Sequence, residues 1–187
     1  MSRYMESYRR PNLAGPGDAR PTALQIIEDE GLTGALTSKV FLITGVSSGI
    51  GIETLRALHA TGAHIIGTVR NLEKGHKVVD EILTERKGGK ITLVHMDLGS
   101  FASVRAGAAE ILSLSEGRLN VLIANAGIMA VPFALTTDGY ESQFATNHLG
   151  HVSTNNPFHF DIRRQAPGTL AGCHKDQECF AKYYWGC

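Results

Sequence analysis

The residues best suited to chemistry lie between Val40 and Gly51, in the run VFLITGVSSGIG. Gly45, Gly49 and Gly51 follow an apolar run and precede Ile52, Leu55 and Leu58 at helical spacing. A strand, a tight turn and a helix in that order form a phosphate cradle. Backbone N–H groups at the helix start point at an anion, and the helix dipole favours negative charge there. Glycine lets the backbone turn sharply and approach a pyrophosphate closely. The residues expected against that pyrophosphate are Gly45, Ser47, Ser48, Gly49, Ile50 and Gly51. The two serines either donate hydroxyl hydrogen bonds to it or serve as ordinary turn residues. Arg70 stands just past the next predicted strand, about 20 residues beyond the glycines, where an acidic residue would hold a ribose 2′-hydroxyl. A guanidinium fork suits a 2′-phosphate instead. That favours NADP(H) over NAD(H), with a solvated strand-end arginine as the plainer reading.

The spacing of this turn is not the general G-x-G-x-x-G. Thr44-Gly45-x-x-x-Gly49-Ile50-Gly51 resembles the short-chain dehydrogenase/reductase family. Asn125-Ala126-Gly127 is similar to that family's N-A-G turn, with Ala124 where an Asn usually stands. Phe144-Ala145-Thr146-Asn147-His148-Leu149-Gly150-His151 resembles a family helix segment, most closely in retinol-dehydrogenase-like and related fungal and plant members. The resemblance covers about residues 22–152. It implies an NADP(H)-dependent oxidoreductase that moves hydride between nicotinamide and a small-molecule carbonyl or alcohol. The resemblance leaves a homodimer open: relatives often pair through the helix at about 139–150 and the helix after it, the second of which this sequence lacks. Asp97, followed by Leu98, would contact the adenine ring, unless Asp97 is only a turn or capping carboxylate. Asn125, Ala126 and Gly127 would lie near the ribose and nicotinamide. Asn147 would be a member of the catalytic set, supporting a proton-relay water; otherwise it is a helix-interior amide.

The resemblance calls for three further groups: a Ser that orients the substrate oxygen, a Tyr that acts as acid or base, and a Lys four residues after it. The Lys lowers the Tyr pKa because a nearby cation favours the phenolate. Four residues after Tyr4, Tyr8, Tyr140 and Tyr183 stand Tyr8, Asn12, Phe144 and Cys187, and four after Tyr184 lies past Cys187. No Tyr-x-x-x-Lys is present, so the chain as written is expected not to turn over. A non-catalytic nucleotide-binding or partner-binding module, pairing through its open fourth strand, is the alternative. An unstable product of a mis-spliced gene is a third.

These groups need a scaffold, and the pattern supplies one. Strands are expected over Val40–Thr44, His64–Val69, Ile91–His95 and Leu119–Ala124. Helices alternate with them: one capped by Thr22 in a box with Gln25 and stopped by Gly31 or Gly34, one to about Ala60 stopped by Gly62, one over Leu72 to about Arg86, and one capped by Ser100. Val79, Ile82 and Leu83 mark the inward face of the third, and Phe101, Val104, Ala108 and Ile111 that of the fourth. Asp138 is expected to open a last helix, with Tyr140 and Phe144 four apart. His59 and His64 are expected at the surface. The fold class is α/β: a Rossmann-type, doubly wound parallel sheet of about four strands in order 3-2-1-4, incomplete.

The chain has 187 residues, 43% of them hydrophobic, and a formal net charge of +0. That suits one ordinary domain and gives no basic surface for nucleic acid. No run approaches the ~18 apolar residues of a membrane span. Residues 1–21 read as a flexible leader and residues 153–187 as an irregular tail without family resemblance. A shifted frame or retained intron, a splice form, or a diverged pseudoenzyme would account for that tail, the first two being preferred. Cys173, Cys179 and Cys187 form neither an even secreted framework nor a C-x-x-C pair. They point to a reducing, cytoplasmic setting and no metal.

Overall fold

The computed structural model describes residues 3–154. Two short 3-10 turns, Glu6–Tyr8 and Arg10–Asn12, precede α1 (Ala23–Asp29). Arg3 and Tyr4 reach across to Asp29, with Tyr4 Oη donating to its carboxylate over 2.8 Å. Thr22 accepts from the Gln25 N–H and opens α1, and Gly31, at φ +65°, follows its end.

The remaining elements alternate: β1 (Val40–Thr44), α2 (Ile50–Ala60), β2 (His64–Val69), α3 (Leu72–Glu85), β3 (Ile91–His95), α4 (Phe101–Ser115) and β4 (Leu119–Ile123). The sheet runs β3-β2-β1-β4 and every pairing is parallel. This is the expected Rossmann-type order. β1 lies between β2, which it reaches through α2, and β4, which the chain reaches from β3 through α4.

Side chains alternate across β1. Val40 and Leu42 join Ile66, Val94, Val104, Ala108 and Ile111 on the α4 face. Phe41 and Ile43 join Leu55, Ile65, Val79 and Ile82 on the α2–α3 face. The central strands β1 and β2 are therefore dry on both faces, as a parallel sheet requires. Each fully buried Leu or Ile contributes roughly 1.5–3 kcal/mol. On α3 the inward face is Val78, Val79 and Ile82, while Leu83, expected inward, is 50% exposed. The helical phase places Leu83 one step past the stripe.

Two histidines depart from expectation. His59, expected at the surface, is only 1% exposed, with neither ring nitrogen hydrogen-bonded. It lies one turn after Leu55 on the inward face of α2, under the glycine loop whose Gly89 N–H donates to the His59 carbonyl over 2.9 Å. Burial lowers its pKa against an opposing pull from the Gly89 backbone, and nearby Arg86 adds to the lowering. His64 is half-buried beside Thr92, 2.9 Å from its hydroxyl.

The β1–β4 ladder slips once. Val40 pairs with Leu119, but Phe41 pairs with Val121. Asn120 is the extra residue, and its Oδ1 accepts the Val40 N–H over 2.8 Å. Among the described residues β4 pairs with β1 alone.

The last helix does not start at Asp138. α5 (Ser142–Phe144) begins after Glu141, whose carboxylate accepts from the N–H groups of Gln143 and Phe144 over 2.9 and 2.8 Å. Gly139, at φ +82°, turns the chain just before it. Asp138 instead caps α4 from outside, accepting the Phe101 N–H over 2.9 Å. α5 widens into a π turn over Ala145–Leu149, and residues 150–154 continue it as helix. No helix among the described residues is long and apolar enough to cross a membrane.

Candidate functional site

One cleft of ≈ 1090 Å³ runs past the carboxyl ends of β1 and β2 and along β4 from Asn120 to Ile123. Open α/β sheets bind ligands at this edge, where the strand order reverses about β1. Gly45, Ser47, Ser48, Gly49, Ile50 and Gly51 of the turn line the cleft, as do Arg70 and Asn125, Ala126 and Gly127. Leu98 lines it from the end of β3.

The glycine turn is shaped by its neighbours. A Cβ on Gly45 would come 2.7 Å from the Ala126 Cβ, and φ there is +73°. A Cβ on Gly51 would collide with the Gly45 carbonyl and approach Asn125 Nδ2 within 2.8 Å. The two turns are thus packed backbone to backbone. Asn125 Nδ2 locks them, donating to the carbonyls of Thr44 and Gly45 over 2.9 and 3.0 Å.

The start of α2 is bare. Thr22, Asn71, Ser100 and Glu141 each cap a helix with a side-chain oxygen. α2 has no such cap. Among the described residues no protein group accepts from the N–H groups of Ser47, Ser48 or Gly49. Free donors and an uncapped positive helix end fit an anion.

The cationic wall is equally specific. Arg70 and Lys74 both line the cleft, both are exposed, and among the described residues neither makes an ion pair. Glu73, the nearest carboxylate in sequence, is held by Lys77 at 2.9 Å instead. Asn71 caps α3 by accepting the Lys74 N–H over 2.8 Å, which sets Lys74 on the first turn beside Arg70. Lys74 is absent from the sequence reading; its signal was a basic residue one turn after Arg70.

Two predicted residues lie elsewhere. Asp97 does not line the cleft; its Oδ1 accepts the Gly99 N–H and its own N–H donates to Ser103 Oγ, both over 2.9 Å. Asn147 does not line it either, although Thr146 does. Asn147 clamps the chain after the 125–127 turn: the Ile128 N–H donates to its Oδ1 over 2.8 Å, and its Nδ2 donates to the Ile128 carbonyl over 2.7 Å. It sits in the π turn, a widening often found at functional sites.

Sequence reasoning gave no role to Thr44 or to His151. Thr44 is fully buried and its hydroxyl accepts from the N–H groups of Asn125 and Ala126, each over 3.0 Å. His151, 8% exposed, places Nε2 2.9 Å from that hydroxyl. Burial lowers its pKa, and His148 adds to the shift. Its place one helical turn after Asn147 was the available signal.

The family model described as short chain dehydrogenase matches residues 39–170. The chain belongs to the short-chain dehydrogenase/reductase family. The short-chain dehydrogenase/reductase prx1 of Penicillium roqueforti is 52% identical over 149 residues, covering 80% of this chain and 42% of that protein. Retinol dehydrogenase 12 of Mus musculus is 40% identical over 116 residues, covering 62% of this chain and 36% of that one. Among solved structures, a metagenomic short-chain oxidoreductase in complex with NADP superimposes with a TM-score of 0.61 at 27% identity, over 70% of this chain and 59% of that one. The chain spans less than half the length of the curated relatives it matches here.

Proposed function

We propose that this chain holds NADP(H) in the cleft at the carboxyl ends of β1 and β2 and along β4. The observation that carries the reading is the uncapped start of α2, whose free N–H groups face the cleft that Arg70 and Lys74 also line. The pyrophosphate lies on Gly45, Ser47, Ser48, Gly49, Ile50 and Gly51. The 2′-phosphate lies between Arg70 and Lys74. Leu98 and the Asp97 segment border the adenine, and Asn125, Ala126 and Gly127 face the ribose and nicotinamide. The solved relative in complex with NADP supports the choice of nucleotide.

The parent reaction is hydride transfer between nicotinamide and a small-molecule carbonyl or alcohol. A carbonyl that receives hydride also needs a proton, and an alcohol that yields hydride must lose one. The printed sequence holds no Tyr-x-x-x-Lys to move that proton. Asn147, which is fastened to Ile128, is the residue assigned to the catalytic set in this proposal. The reading is therefore a chain that binds nucleotide without turning it over.

Isothermal titration of the 187-residue chain with NADPH and with NADH tests this. Saturable binding, tighter for NADPH, is expected, together with no NADPH oxidation by added carbonyls. Equal affinity for both nucleotides would remove the role of Arg70 and Lys74. Absence of binding to either would remove the reading itself.

A further inference from the structure

The Thr44 hydroxyl oxygen is enclosed and has three nitrogen neighbours: the backbone nitrogens of Asn125 and Ala126 at 3.0 Å each, and His151 Nε2 at 2.9 Å. A hydroxyl offers two lone pairs and one hydrogen. The two backbone nitrogens can only donate, so they occupy both lone pairs. The hydroxyl hydrogen is left to point at Nε2. Nε2 must then accept, and it carries no proton. The ring proton resides on Nδ1, which lies 3.2 Å from the Asn147 carbonyl and donates to it.

We propose that His151 is a positioning residue: as the neutral Nδ1–H tautomer it aims the Thr44 hydroxyl so that both lone pairs hold the amides opening the 125–127 turn. The same ring ties that turn to the helix that carries Asn147. β1, the 125–127 turn and the π turn are thus joined through one side chain, across separations of 107 residues from Thr44 to His151 and 4 from Asn147 to His151. Adding a proton to Nε2 sets a donor against the hydroxyl hydrogen. The hydroxyl can then satisfy the ring only by surrendering a lone pair from Asn125 or Ala126. Thr44, which meets the ring from β1, and the Asn125 and Ala126 amides that donate to the Thr44 hydroxyl are uncharged, and His148 is the titratable neighbour on the ring's own helix. The burial of the ring supports the neutral form at pH 7.

The consequence for NADP(H) affinity rests on the function proposed above; the tautomer and its hold on the turn do not. The full chain labelled with ¹⁵N-histidine gives the tautomer directly by long-range ¹H–¹⁵N correlation, with the His151→Gln spectrum assigning the signal. An unprotonated Nε2 at pH 7 is expected. Amide hydrogen exchange at Asn125 and Ala126 reads the hold on the turn. His151→Leu, which removes the acceptor, should speed exchange at both and weaken NADPH binding, each by about tenfold. His151→Gln, whose side-chain carbonyl can accept from Thr44, should stay near wild type in both and lose the extra fall in affinity that wild type shows between pH 7 and pH 5.5. A protonated Nε2 at pH 7 overturns the proposal, as does His151→Leu with unchanged exchange, or His151→Gln as damaged as His151→Leu. Wild type that binds neither nucleotide sinks the function proposed above, while the tautomer and exchange results still decide the role of His151.

Discussion

Gly51 has no room for a methyl group, because the Gly45 carbonyl occupies that space. Gly51→Ala is expected to destabilise the fold by about 2 kcal/mol or more through overpacking, measured by urea unfolding. Gly49 differs: nothing lies within 4 Å of its Cβ position, but φ is +60°. Gly49→Ala should cost only about 1 kcal/mol of backbone strain. Arg70→Glu should weaken NADPH binding by tenfold or more, about 1.4 kcal/mol, and leave NADH binding within about threefold. The glycines and Arg70 were legible because their constraints are local: a sharp turn, a helix start and a strand end lie within a few residues of each other. Thr44 and His151 were not, because a threonine in a strand is an ordinary β-former and its partners lie 81 and 107 residues away.

Among the elements, the four strands were legible almost to the residue, since a parallel strand buried on both faces reads as a continuous apolar run bounded by turn signals. Helix starts were legible where a single Ser, Thr or Asn preceded the stripe. The last helix was not. Asp138 and Glu141 are both acidic, and sequence cannot say that Asp138 is spent on the Phe101 N–H 37 residues earlier. Two substitutions separate these tasks. Glu141→Ala should cost about 1 kcal/mol of stability through the lost cap on the helix that bears Asn147, while Asp138→Ala should cost a similar amount by removing the acceptor of the Phe101 N–H at the start of α4. Thermal melts check both, and hydrogen exchange should place the first loss in the helix of residues 142–154 and the second in α4.

At the scale of the whole molecule, three histidines among the described residues weaken the fold on mild acidification. His59, His64 and His151 all have pKa values lowered, chiefly by burial. A lowered folded-state value means that the unfolded chain binds more protons once pH drops below about 6.5. Their contribution to stability is present above that pH and is lost as pH falls through the folded-state values. The melting temperature should therefore decline from pH 7.5 to pH 5. His59 adds a cost even when neutral, because both ring nitrogens are buried without a partner. His59→Leu should raise stability by about 1 kcal/mol and flatten the acid decline, read from melts at the two pH values. Sheet order and the two-sided core were visible in the alternation of elements. The burial of His59 was not, since a histidine at a helix end carries no polarity signal that distinguishes inside from outside.

β4 contains a spare residue. Side chains alternate along a strand, so a single deletion normally sends everything beyond it to the opposite side of the sheet. The slip at Asn120 means that removing this one amino acid would let Leu119, Val121, Leu122 and Ile123 keep their present mates on β1. Removing Leu122 instead would carry Asn125 away from Thr44 and Gly45 and dismantle the wall of the cleft. Length variation in this strand should thus be tolerated at one position and ruinous two residues later.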